Sequence, residues 1–206
     1  MNMFWMAIVL SRYGNLVRSV VIGIVWSGVA FAPVLAQDAT LRVPDERARS
    51  YFGDDVLVDQ DGKGHRFYSD LLENHVVLIN VLFTGCKDSC PMQTQRLRQV
   101  RARLGTRFGP DITFLSLSVD PIHDDSETLK RFAVKQQVDE AGWRFLTAEE
   151  PVMAKMLRRL GQWTDEPTDH STLLIAGNAA KRHWVRLRPD ASVDHIAVDL
   201  MRLMEE

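Results

Sequence analysis

The chain has 206 residues, 46% of them apolar, enough for one well-buried domain with or without an appendage. Its 25 basic and 27 acidic side chains leave a net charge of −2, which supplies no basic field for holding nucleic acid. It has only two cysteines, Cys86 and Cys90, too few for the multi-bridge framework of a small secreted scaffold. A pair this close is a redox couple, two ligands of one metal ion, or both in turn.

Residues 19–36 carry no charge, Arg12 and Arg18 precede them, and Gln37 and Asp38 return the chain to polar sequence. A basic flank, an apolar stretch and a small residue at the end make an export signal over residues 1–36, with Ala36 as the last residue removed. Retained instead, the same run is near the minimum length for a membrane anchor, although Gly23, Gly28 and Pro33 weaken it as a helix. In both cases the rest of the chain is exported, so the expected location is the periplasm, soluble after cleavage or tethered to the inner membrane. Without residues 1–36 the chain keeps 23 basic and 27 acidic side chains, a net charge of −4.

Residues 37–52 are polar and read as a linker, leaving 53–206 as the folded domain. Asp55 to Tyr68 predicts a hairpin around Asp61-Gly62-Lys63-Gly64. Val76 to Phe83 is a continuous apolar run, as expected of a strand buried on both faces, and Ile112 to Val119 predicts a second buried strand. Pro91 to Leu104 and Ser126 to Val138 switch to helical periodicity, with Ser126 as the expected N-cap of the second. Trp143 to Leu146 predicts a short strand and Pro151 to Leu160 a helix opened by proline. Ser171 to Ile175 and His183 to Leu187 predict strands around the turn Ala176 to Arg182, and Val193 to Met204 a last helix. This alternation predicts an α/β sandwich around one mixed sheet with helices on both faces, preceded by a β-hairpin extension.

The segment Phe83-Thr84-Gly85-Cys86-Lys87-Asp88-Ser89-Cys90-Pro91 joins the first buried strand to the first long helix. A helix N-terminus stabilises thiolates, and cysteines at i and i+4 share one face if that turn is helical. Two thiolates select copper(I) or zinc over hard cations, and an exported pair can also be stored as a disulfide. The residues alone leave metal and redox chemistry open. Two sulfurs make an incomplete metal site, and six histidines are available for a third donor. His170 stands directly before a strand, where its loop can lie beside the cysteine helix, which makes it a candidate ligand.

Three blocks in order resemble the Sco/SenC family of thioredoxin-fold copper proteins. The Cys-x-x-x-Cys-Pro segment is the first. Ser118-Val119-Asp120-Pro121 with Asp124 to Phe132 is the second, and Asp169-His170-Ser171-Thr172 the third. The similarity runs from about Asp55 to the C-terminus. It implies a thioredoxin-like fold in which Cys86, Cys90 and His170 bind one copper ion and Asp120 lies near the site as a supporting or docking residue. Ser171 stands where a thioredoxin carries its proline beside the disulfide. The resemblance further implies a metallochaperone that delivers copper to the binuclear copper centre of cytochrome c oxidase, or matures that centre by reducing its thiols. The expected partner is a copper-accepting respiratory oxidase subunit or another periplasmic thiol protein, with the membrane engaged only through an uncleaved N-terminal segment. A thiol-disulfide oxidoreductase working through Cys86 and Cys90 is the enzymatic alternative, and a copper-dependent redox sensor a third. The chain departs from the family in a short stretch at Thr164 to Asp169 and in a turn, Ala176 to Arg182, that lacks the usual acidic-glycine pair.

Overall fold

A computed structural model describes residues 46–205, all within one compact unit, Arg42–Glu206. The export run at 19–36 lies outside the described residues. Among the described residues no helix is long and apolar enough to cross a membrane.

The elements run α1 (Glu46–Phe52), β1 (Val56–Asp59), β2 (Gly64–Arg66), β3 (Val76–Leu82), α2 (Ser89–Leu104), β4 (Ile112–Ser118), α3 (Ser126–Lys135), β5 (Trp143–Thr147), α4 (Glu150–Leu160), β6 (Leu174–Asn178), β7 (His183–Leu187) and α5 (Val193–Glu205). They form a single seven-stranded sheet in the order β2-β1-β5-β4-β3-β6-β7. Strands β3, β4 and β5 are parallel, while β1, β2, β6 and β7 join antiparallel at the two sides. This is the predicted thioredoxin-like arrangement with its hairpin extension.

The apolar runs of β3 and β4 supply both faces of the sheet by alternation. Val76, Leu78 and Leu82 meet Leu97, Val100 and Leu104 of α2, with α3 and α5 completing that layer. Val77, Ile79 and Val81 meet Met153, Met156 and Leu157 of α4 on the other face, together with Phe52 of α1. Each such side chain, fully buried, contributes about 1.5–3 kcal/mol. Helices therefore cover both faces.

The structure corrects four local expectations. The linker expected over 37–52 is helical in its last seven residues, because Phe52 is buried and packs against Phe67 and Trp184. The N-cap of α3 is Asp125, whose carboxylate accepts from Thr128 N at 2.7 Å, one residue earlier than expected. Phe67 and Tyr68 leave the hairpin for a buried π-type turn, Phe67–Leu72. Strand β6 begins three residues late and runs on to Asn178. The residues after His170 are thereby freed from the sheet to reach the cysteine loop, and the turn contracts to Ala179–Lys181. Gly177, a turn signal in the sequence, is a strand residue facing Trp184 of β7 across the register. A β-carbon at Gly177 would overlap the indole carbons of Trp184, so only glycine lets that ring lie against β6.

Candidate metal centre

Strand order brings the site together. β3 and β6 are antiparallel neighbours, so the end of β3 and the start of β6 lie at one edge of the sheet. The cysteine loop leaves the first and His170 enters the second. Cys86, Cys90 and His170 each offer a donor atom, and all three lie within 4.8 Å of one another. Among the described residues they are the only group of three or more His, Cys, Asp or Glu side chains so arranged.

The two cysteines reach this position differently. Cys90 is the second residue of α2 and is 1% exposed, whereas Cys86 precedes the helix and is partly exposed. The shared helix face expected for i and i+4 is therefore not how they converge. The Asp88 side chain at the N-cap position accepts no capping hydrogen bond. Instead Cys86 Sγ accepts from Cys90 N at 3.3 Å, taking up one of the orphan amides of the first turn. Cys86 Sγ also lies 3.3 Å from Ser89 Oγ, and Cys86 N donates to Phe83 O at 3.2 Å.

These surroundings split the thiols. Burial pushes the Cys86 thiol up, but hydrogen bonds from Ser89, the Cys90 thiol and the amides of Cys90 and Asp88 outweigh it, and the net shift is downward. Burial, reinforced by Cys86, pushes Cys90 up to about 12. Cys90 Sγ sits 3.3 Å from His170 Nε2, and His170 Nδ1 lies 3.1 Å from Ser171 O. A carbonyl only accepts, so Nδ1 donates to Ser171 O and Nε2 is the ring nitrogen that faces the sulfur. With its pKa raised, Cys90 keeps its proton at neutral pH. The ring is bounded on one side by Phe83, edge-on at 5.8 Å. Gln93, one turn beyond Cys90, donates to Thr172 O at 2.7 Å and ties the His170 loop to α2.

Asp120 is not among the converging donors. Its carboxylate holds His123 Nδ1 at 2.8 and 2.9 Å. The acid that supports the cysteine loop is Asp124, fully buried. It accepts from Thr84 Oγ1 at 2.6 Å, from Thr84 N at 3.2 Å and from Ser118 Oγ at 2.6 Å. Asp124 thus fastens the start of the cysteine loop to the end of β4. Nothing in Asp120-Pro121-Ile122-His123-Asp124-Asp125 distinguishes its three acids by sequence; only the way the loop folds back buries one of them. The other histidines are elsewhere: His65 pairs with Asp59 at 2.7 Å and His195 with Asp199 at 3.3 Å.

The chemistry of the donors is specific. Two sulfurs and one imidazole nitrogen make a soft set of three. Structural zinc takes four ligands in a tetrahedron, and no fourth protein donor joins the group among the described residues. Three soft donors suit copper(I).

The sequence profile of the SCO1/SenC family matches residues 45–205. The chain belongs to the SCO1/SenC family. It is 34% identical over 89 residues to a SCO1 protein homolog of Bacillus subtilis, an alignment covering 43% of this chain and 45% of that relative, so it spans less than half of the relative's length. Among solved structures it is similar to Bradyrhizobium japonicum ScoI with copper bound, at a TM-score of 0.62 and 23% identity, over 73% of this chain and 98% of that one. It is also similar to BsSco, described as having a disulfide switch and as a member of the Sco family of cytochrome c oxidase assembly proteins. That match has a TM-score of 0.64 and 22% identity over 75% of this chain and 93% of that one. Both structural likenesses bear on the fold.

Proposed function

We propose that this chain is a periplasmic copper-binding metallochaperone that carries one copper ion on Cys86, Cys90 and His170 and passes it to the binuclear copper centre of cytochrome c oxidase. The observation that carries this reading is the convergence of the three soft donors. Family membership and the copper-bound relative support it. The exposed Met92 and Leu173 also fit it, since they stand on the cysteine helix and on the His170 segment and offer apolar surface to a partner. Periplasmic location rests on the signal-like residues 1–36, either cleaved or kept as a tether. Asp120, with His123, belongs to the surface a partner meets rather than to the copper.

Metal analysis of the reduced protein, with copper(I) and zinc offered in competition, tests the reading. One copper per chain with zinc excluded is expected; zinc retention or no metal would overturn it. A reporter fused after Glu206 that works only in an oxidising compartment tests export, with activity expected.

A second reading, a thiol-disulfide oxidoreductase acting on partner cysteines, is favoured by one observation: a partly exposed thiol of lowered pKa beside a buried one. In that case activity towards a model disulfide would survive His170→Ala.

A further inference from the structure

A cleft of about 230 Å³ lies between the cysteine loop and α3, and Cys86 is one of the residues that line it. Thr84 and Pro91 wall it on one side and Phe132 of α3 on the other. Two cations, Arg131 and Lys135, one helical turn apart on α3, also line it, and no acidic residue does. Arg131 pairs with Glu127 at 2.6 Å, but both side chains are largely exposed, so water screens the pair and the guanidinium keeps donors to spare. Lys135 is exposed and has no ion-pair partner among the described residues. A partly exposed sulfur beside two cations, with no carboxylate in the lining, is complementary to a small molecule that carries carboxylates around a sulfur of its own. A cleft of this size takes the arm of such a molecule rather than the edge of a folded partner.

The second sulfur stands behind the first. Cys90 is 1% exposed, is not part of the lining, and has its Sγ within 4.8 Å of Cys86 Sγ. A molecule in the cleft therefore meets Cys86 first, and Cys90 is within reach of whatever bond forms there.

We propose that the cleft receives the disulfide of a small carboxylate-bearing thiol, with Lys135 and Arg131 holding its carboxylates while Cys86 attacks the nearer sulfur. The Cys86 thiolate forms a bond to that sulfur, the substrate S–S bond breaks, and the first small thiol leaves with the bonding pair and takes up a proton. Cys90 then gives up its proton and attacks Cys86 Sγ, which closes the Cys86–Cys90 disulfide and releases the second small thiol. The cysteine pair loses two electrons and two protons, and one substrate disulfide becomes two thiols. This step rests on the thiol-disulfide reading of Cys86 and Cys90 and involves no metal.

The test uses the full chain, reduced and stripped of metal, with glutathione disulfide as the anionic probe and 2-hydroxyethyl disulfide as the neutral one. Mass spectrometry of quenched samples follows closure of the Cys86–Cys90 bond. Each rate is divided by that disulfide's rate with N-acetylcysteine amide, which removes the intrinsic reactivity of the probes. The expected result is saturation with glutathione disulfide and a normalised preference for it of about fivefold or more, falling to near one in Lys135→Glu. Lys181→Glu makes the same charge change beyond the far end of β6, and the preference should persist there. No preference in wild type, a preference unchanged in Lys135→Glu, or an equal loss in Lys181→Glu would overturn the cleft and leave the thiol-disulfide reading standing. Failure of both probes to oxidise the pair would overturn that reading and the cleft with it.

Discussion

Cys90 Sγ and His170 Nε2 stand 3.3 Å apart, and burial pushes the Cys90 thiol up to about 12. Cys86 has the opposite character, partly exposed and lowered. At neutral pH Cys86 should therefore alkylate first, with a rate advantage of about tenfold or more, because the thiolate is the nucleophile. Iodoacetamide labelling of the reduced, metal-free protein, followed by peptide mass spectrometry, measures both rates. Equal rates would show that the split does not exist in solution.

Replacing His170 by alanine removes one of three donors. Copper(I) affinity, measured by competition with a chromogenic chelator, should fall by on the order of tenfold or more. His123→Ala is the control, since His123 contacts Asp120 and not the converging donors. Its affinity should stay at the wild-type value.

Asp124→Ala leaves the Thr84 amide and hydroxyl and the Ser118 hydroxyl without their acceptor. The expected cost is about 1–3 kcal/mol, read by urea unfolding, with weaker copper retention as the loop loosens. The pH dependence has a definite sign. Burial raises the Asp124 carboxyl above its ordinary value of 3.8, with Asp120 adding to the shift against hydrogen bonds from Ser118 and Thr84. A raised carboxyl keeps its proton longer in the folded state, so between 3.8 and its raised folded value the folded state holds more protons than the unfolded state. The contribution of Asp124 should thus be most favourable at low pH and decline as pH rises through the folded value. Unfolding free energies of wild type and Asp124→Asn between pH 4 and 7 should show the difference shrinking in that direction; a difference that grew would contradict it.

Gly177→Ala should destabilise the domain without touching the metal. The added methyl group displaces the Trp184 ring, at a cost of about 1–3 kcal/mol for an overpacked site. Unfolding midpoint and copper stoichiometry, measured on the same protein, should change and stay constant respectively. Trp184→Leu in the same chain should recover part of the loss.

What could be read beforehand divides by the range of the interaction. The runs Val76–Leu82 and Ile112–Ser118 announce buried strands because both are uncharged and mostly apolar, and the amphipathic helices announce themselves by period. The cysteine pair is local and equally plain. His170 is 80 residues from Cys90, so spacing could nominate it but not place it; the family resemblance supplied the pairing. Helix α1 escaped because seven polar-rich residues have little intrinsic reason to be helical. Their order comes from Phe52 against Trp184 and from Tyr51 donating to Arg159 O, 108 residues away. Asp124 escaped for a similar reason: burial of one acid among three is a property of the folded loop.

The antiparallel pairing of β3 with β6 also dictates an order of assembly. The cysteine loop can form once β3, α2 and β4 are in place, but His170 joins it only after β6 has paired with β3, register Ile79 opposite Ile175. Contacts so far apart in sequence close late. A chain still emerging from its ribosome therefore holds the two sulfurs before His170 can reach them. During that interval the pair is open to oxidation or to scavenging by any thiol-seeking ion, and the three-donor centre exists only once β6 has paired with β3.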